Sequence, residues 1–188
     1  MLFLGTGAWG ASPGPSLTVD LNAPPHSISP YIYGFNDFGT DASTVAFAKE
    51  VKLPVNRWGG NATSGYHWKV DALNSAADWY FENFPQQNDP ARTLPDGSTF
   101  DLFVEKNRSS STDTICTIPI MGWVVKDRER RWGFSVVKYG AQEKADPWQQ
   151  DAGNGVKPDG KTNLAGNDPK DTSMEVGPEF MLDRKSVV

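Results

Sequence analysis

The stretch Val55-Asn56-Arg57-Trp58-Gly59-Gly60-Asn61 gathers three kinds of side chain that recognise ligands. The guanidinium of Arg57 is a planar fork of donors that can hydrogen-bond a carboxylate and hold it ionised. Asn56 and Asn61 are neutral groups that both donate and accept, which is what hydroxyls require. Trp58 offers a flat apolar face, as do Trp68, Trp79 and Trp123 further along. Trp68 is the favoured one of these because it follows the pliable run "TSGYH". The competing role of each tryptophan is core packing, and that of Arg57 is a structural ion pair.

Other catalytic chemistries find little support. Cys116 is the single cysteine and lies in the apolar run "TICTIPIMGWVV", where a buried structural thiol is expected rather than a nucleophile. His26 and His67 are the two histidines, far apart, with no HExxH or CxxC spacing, so no metal and no cofactor is expected. No serine sits in a Gly-x-Ser-x-Gly elbow. Glu175 and Glu179 are four apart and read as a solvated helix face. Asp78 and Glu82 stand in an aromatic setting, "DWYFEN", where a substrate-side or ion-binding role competes with loop-capping hydrogen bonds.

The elements that must position these residues alternate in type. Residues 16–22 alternate apolar and polar as a half-buried strand does. "ISPYIYGFN", 28–36, is rich in strand formers. A helix capped by Asp41 or Ser43 follows, and "LPVNRW" returns to strand character. After an aromatic loop region, 62–98, Phe100, Phe103, Val104 and Asn107 fall at helical spacing. Residues 113–125 read as one buried strand, 126–172 as a loop-rich region whose stretch 150–171 is too polar and Gly-rich to hold a core, and 174–182 as the start of another helix. Strands alternating with helices predict a parallel α/β sheet. Long insertions after strands are the habit of a (β/α)8 barrel, of which three strand–helix units make an incomplete part.

Composition narrows the partners. A net charge of −5 over 188 residues, with "KDRERR" the nearest approach to a basic cluster, argues against nucleic acid and anionic membrane. No apolar run approaches the ~20 residues that cross a bilayer. The opening "MLFLGTGAWGASPG" reads as a signal remnant or a frayed start.

Several blocks together carry a resemblance: "ISPYIYGFN", "LPVNRWGGNATSGYHW", "AADWYFENFP", "LPDGSTFDLFVEKNR", "GFSVVKYGAQEKADPW" and "DAGNGV". In this order, from Leu17 to Asp183, they resemble the amino-terminal part of glycoside hydrolase family 44, the endo-β-1,4-glucanases and xyloglucanases. The resemblance implies a secreted, retaining, monomeric enzyme that acts on β-1,4-glucan, with a (β/α)8 barrel and a β-sandwich to which residues 16–27 contribute a strand. It assigns 28–182 to the barrel and leaves 1–15 as the leader or frayed start. It also implies an acid/base in an Asn-Glu-Pro motif after the fourth barrel strand and a nucleophilic glutamate later still. No Asn-Glu-Pro occurs here, so both catalytic carboxylates are expected beyond Val188. On this resemblance Arg57 faces the nucleophile, and Asn56, Trp58, Asn61, Trp68, Trp79 and Trp123 contact sugar. Residues 183–188, "DRKSVV", read as an artefactual tail that a translated sequencing adapter would produce. Two alternatives stay open: a non-catalytic carbohydrate-binding module, and a fragment of a related barrel arabinofuranosidase.

Overall fold

A computed structural model describes residues 14–36, 39 and 41–185. The reading of 1–15 as a leader remnant falls outside these residues except for 14 and 15; of the reading of 183–188 as an artefactual tail, 186–188 fall outside, while 183–185 end a helix that starts at Pro178.

The centre of the structure is a three-stranded parallel sheet. Strand β1 (Phe35–Asn36) leads through helix α1 (Ala42–Glu50) to β2 (Val55–Trp58), and β2 pairs on its other side with β5 (Asp113–Cys116). Between β2 and β5 the chain makes a small antiparallel hairpin, β3 (Ala72–Asn74) with β4 (Asn83–Pro85), and then helix α2 (Thr99–Ser109). After β5 come β6 (Trp123–Val125), the short α3 (Val136–Tyr139), β7 (Ser173–Glu175), which pairs antiparallel with β6, and α4 (Pro178–Lys185). The fold is α/β with a parallel sheet, as the alternation of elements implies.

Local chemistry explains the two main helices. Asp41 caps α1 by accepting hydrogen bonds from the Ser43 and Thr44 N–H groups at 3.0 Å each. These bonds, with those from the Ser43 and Thr44 hydroxyls, hold the Asp41 carboxyl well below the usual range. Ser98 caps α2 by accepting from Asp101 N–H at 3.3 Å. Phe100, Phe103, Val104 and Asn107 then recur at one-face spacing and are the buried residues of α2.

The core is aromatic. Trp58 meets Tyr66, Phe100 and Phe103 edge-on at 5.4–5.7 Å between ring centroids, and Trp68, Val124 and Phe180 complete the cluster. Edge-to-face pairs of this kind add about 0.5–1.5 kcal/mol each beyond the area they bury.

Four expectations are corrected. Residues 16–22 form no strand and pair with none among the described residues, and Leu17, Val19 and Leu21 stand exposed. In 28–36 the middle residues form a 3-10 turn (Pro30–Tyr33), since Pro30 fits the first helical position and the Ser29 hydroxyl accepts from Tyr31 N–H. The run 113–125 is two strands and not one; Pro119 lacks the donor a strand ladder needs, and Gly122 takes a φ of +78°. The polar stretch 150–171 nonetheless buries Ala152 completely.

Candidate functional site

Strand β2 divides the expected ligand groups between two sides of the sheet. Successive side chains of a strand point to opposite faces, so Asn56 and Trp58 share one face and Arg57 takes the other. The first face is covered by α2. There Asn56 Nδ2 donates to Asn107 Oδ1 at 3.1 Å, and Asn107 Nδ2 donates to Thr114 Oγ1 at 2.8 Å. Asn56 and Trp58 are therefore interior residues of the sheet–helix layer, and neither reaches a cleft. Trp68 is corrected in the same way: it is 5% exposed and packs against Phe180 at 5.8 Å, with no face left for a ligand.

Arg57 lies on the uncovered face. Its register partners, Asn36 and Ile115, are exposed beside it. The guanidinium folds across Gly59, where a β-carbon would collide with it. Gly60, at a φ of +123°, then turns the chain into a 3-10 turn (Asn61–Gly65). Asn61 Nδ2 donates to both carboxylate oxygens of Asp78, at 3.2 and 3.3 Å. Asp78 thus anchors the loop after β2, and Asn61 keeps its amide oxygen for a ligand.

Two clefts adjoin that loop. One, of about 270 Å³, brings Asn61 and Trp123 together with Met121, Asn74 and Phe134. The other, of about 500 Å³, runs beside Trp79 and is bordered by Asp78, Lys144, Asn154 and Asn163. Phe81 lines both. Of the sequence-expected residues, Arg57, Asn61, Trp79 and Trp123 lie at the surface or along these clefts, and Asn56, Trp58 and Trp68 do not.

Behind Trp79 stands a buried acidic pair. Glu82 is 0% exposed, and its carboxyl is pushed up to about 7 by burial and by the adjoining Asp146, against the pull of Arg130. Arg130 Nη1 donates to Glu82 Oε2 at 3.4 Å. For Asp146, burial is outweighed by hydrogen bonds: Trp148 N–H at 2.6 Å, the Glu82 carboxyl, Trp79 Nε1 at 2.6 Å and Gln149 N–H at 3.2 Å hold it below the usual range. Below neutral pH the two carboxyls share one proton, carried by Glu82. Enclosed as they are, these groups shape their surroundings instead of meeting a substrate. Among the described residues no three His, Cys, Asp or Glu converge as a metal site would require.

Residues 72–184, more than half of the chain, match the model for glycoside hydrolase family 44. The chain belongs to glycoside hydrolase family 44. CelM2, a bifunctional glucanase-xylanase protein from a metagenome library, is 36% identical and superposes with a TM-score of 0.73 over 85% of this chain. The beta-mannanase/endoglucanase A of Caldicellulosiruptor saccharolyticus is 38% identical over 64 residues, 34% of this chain. The chain spans 29% of the CelM2 chain and 4% of the Caldicellulosiruptor protein. The family match decides against the arabinofuranosidase alternative, and the parallel sheet with its helices is not the all-β build of a carbohydrate-binding module.

Two residues of this family-44 chain escaped the sequence reading. Trp148 stacks on Trp79 with centroids 5.6 Å apart and planes at 25°, and Asp146 fixes the Trp79 indole. Both lie in "ADPW", inside the loop-rich region 126–172. The signal was present in the apolar ring that such a loop has no structural need to display.

Proposed function

We propose that this chain forms one wall of the substrate cleft in a secreted, retaining endo-β-1,4-glucanase, as the first part of a (β/α)8 catalytic barrel. The observation that carries this reading is Arg57. It is exposed at the carboxyl end of the central parallel strand, on the face opposite α2, and no carboxylate among the described residues lies within ion-pair distance of it. In a barrel this end of a strand is the catalytic end. A guanidinium there holds an incoming carboxylate ionised, as a glycosidase nucleophile must be.

Retention needs two carboxyls about 5–5.5 Å apart, and both are expected beyond Val188. Asn61 and Trp123, joined in one cleft, supply hydrogen bonding and a flat face to a pyranose ring. Residues 16–27 join the accompanying β-sandwich only when the rest of that sandwich is present. The relatives named for glucan, xylan and mannan hydrolysis support a β-1,4-linked polysaccharide as substrate for the complete, monomeric protein.

The 188-residue chain alone is expected to be inactive. Reducing-sugar release from xyloglucan or carboxymethyl-cellulose checks this, and any release above a blank would overturn the placing of the catalytic carboxyls.

A further inference from the structure

We propose that Trp148 and Trp79 together form a second sugar-binding platform, separate from the wall that carries Arg57, which holds a pyranose ring of the same β-1,4-linked chain. This rests on the reading of the protein as a glucanase and extends it to a place that reading does not reach.

Trp148 is 75% exposed and Trp79 38% exposed, while the two rings lie nearly parallel. An indole so displayed forgoes the burial that normally stabilises this side chain. The display is also braced from behind. The Trp79 indole N–H donates to Asp146 Oδ2 and the Trp148 backbone N–H to Asp146 Oδ1, each at 2.6 Å. One buried carboxylate thereby holds the Trp79 ring and the Trp148 backbone, and the Trp148 ring is braced by its stack on Trp79, which reduces the rotamer freedom left to be lost on binding.

The chemistry of the surface selects the ligand. The face of an indole is electron-rich and attracts polarised C–H bonds. A β-linked hexopyranose carries its hydroxyls around the rim and its axial C–H bonds on its faces, which matches a flat ring bordered by polar groups. Such groups are present in the cleft beside Trp79: Lys144, Asp78 and Asn163. The Asn163 side chain is exposed and has no protein hydrogen bond among the described residues. The platform is also connected to the cleft wall. Asp78 holds Asn61, and Phe81 lines both clefts, so one oligosaccharide can touch the wall and the platform in turn.

Titration of the 188-residue chain with cellohexaose, followed by tryptophan fluorescence, tests this. Trp148→Ala is expected to weaken binding about fivefold or more, a loss on the scale of one aromatic stacking contact, and Trp148→Phe to restore most of it. Because Trp148 is exposed, both variants should keep the parent far-ultraviolet circular dichroism. Unchanged affinity in Trp148→Ala overturns the platform, even where Asn61→Ala weakens binding and the cleft wall stands. A folded parent chain that binds no cellohexaose overturns the glucanase wall itself, and the platform with it.

Discussion

At the scale of single residues, the Glu82–Asp146 pair makes stability depend on pH in an unusual direction. The Glu82 carboxyl rises from an ordinary value of 4.5 to about 7 in the folded chain. The folded state therefore holds that proton more tightly than the unfolded state does. Stability falls as pH climbs from about 4.5 to 7 and levels off above. Asp146 acts oppositely, but its effect is confined to acid below its ordinary value of 3.8. Thermal midpoints at pH 5 and pH 8 are expected to differ, the lower one at pH 8, and Glu82→Gln to flatten that difference. Equal pH slopes in parent and variant would show that Glu82 does not carry the proton. Ionisation of Glu82 also sets two negative charges behind the Trp79 ring, so the pair that orients the aromatic surface is firmest on the acid side.

At the scale of elements, α2 carries the packing and was readable before any coordinates. Its apolar positions recur at three and four residues, and a serine precedes it. Phe103 is almost fully buried against Trp58, so Phe103→Ala is expected to cost about 3–5 kcal/mol. Val137→Ala, at an exposed position on α3, is expected to stay within about 0.5 kcal/mol. Urea midpoints compare the two directly. Strand β2 was also readable, but its consequence was missed: Asn56 and Arg57 are neighbours and cannot face the same cleft. The break between β5 and β6 was written in Pro119 and Gly122, yet the apolar run masked it. Trp148 is different in kind. Its partner is distant along the chain, and no local period announces a contact made only when two loops meet.

At the scale of the molecule, the parallel sheet is covered along the face under α2, while the opposite face is buried at Val55 and open towards its carboxyl end. The opposite face shows Arg57, Asn36 and Ile115, the last 53% exposed, and the loop after β5 leaves Ile118, Ile120 and Met121 open. Apolar surface of this extent invites association between chains. The soluble yield is expected to rise with Ile120→Lys, with the thermal midpoint unchanged because that side chain packs against nothing. A sedimentation assay after expression reads the yield, and a lowered midpoint would show that Ile120 supports the fold.

The sheet order β1-β2-β5 leaves an outer edge on both β1 and β5 with no paired strand among the described residues. An edge strand presents a row of free backbone donors and acceptors, and these pair with any strand of suitable register. Nothing in that pairing requires the incoming strand to belong to the same polypeptide. A strand from a second copy meets that edge on the same terms as one from the same chain, so the two outer strands mark where this sheet can grow.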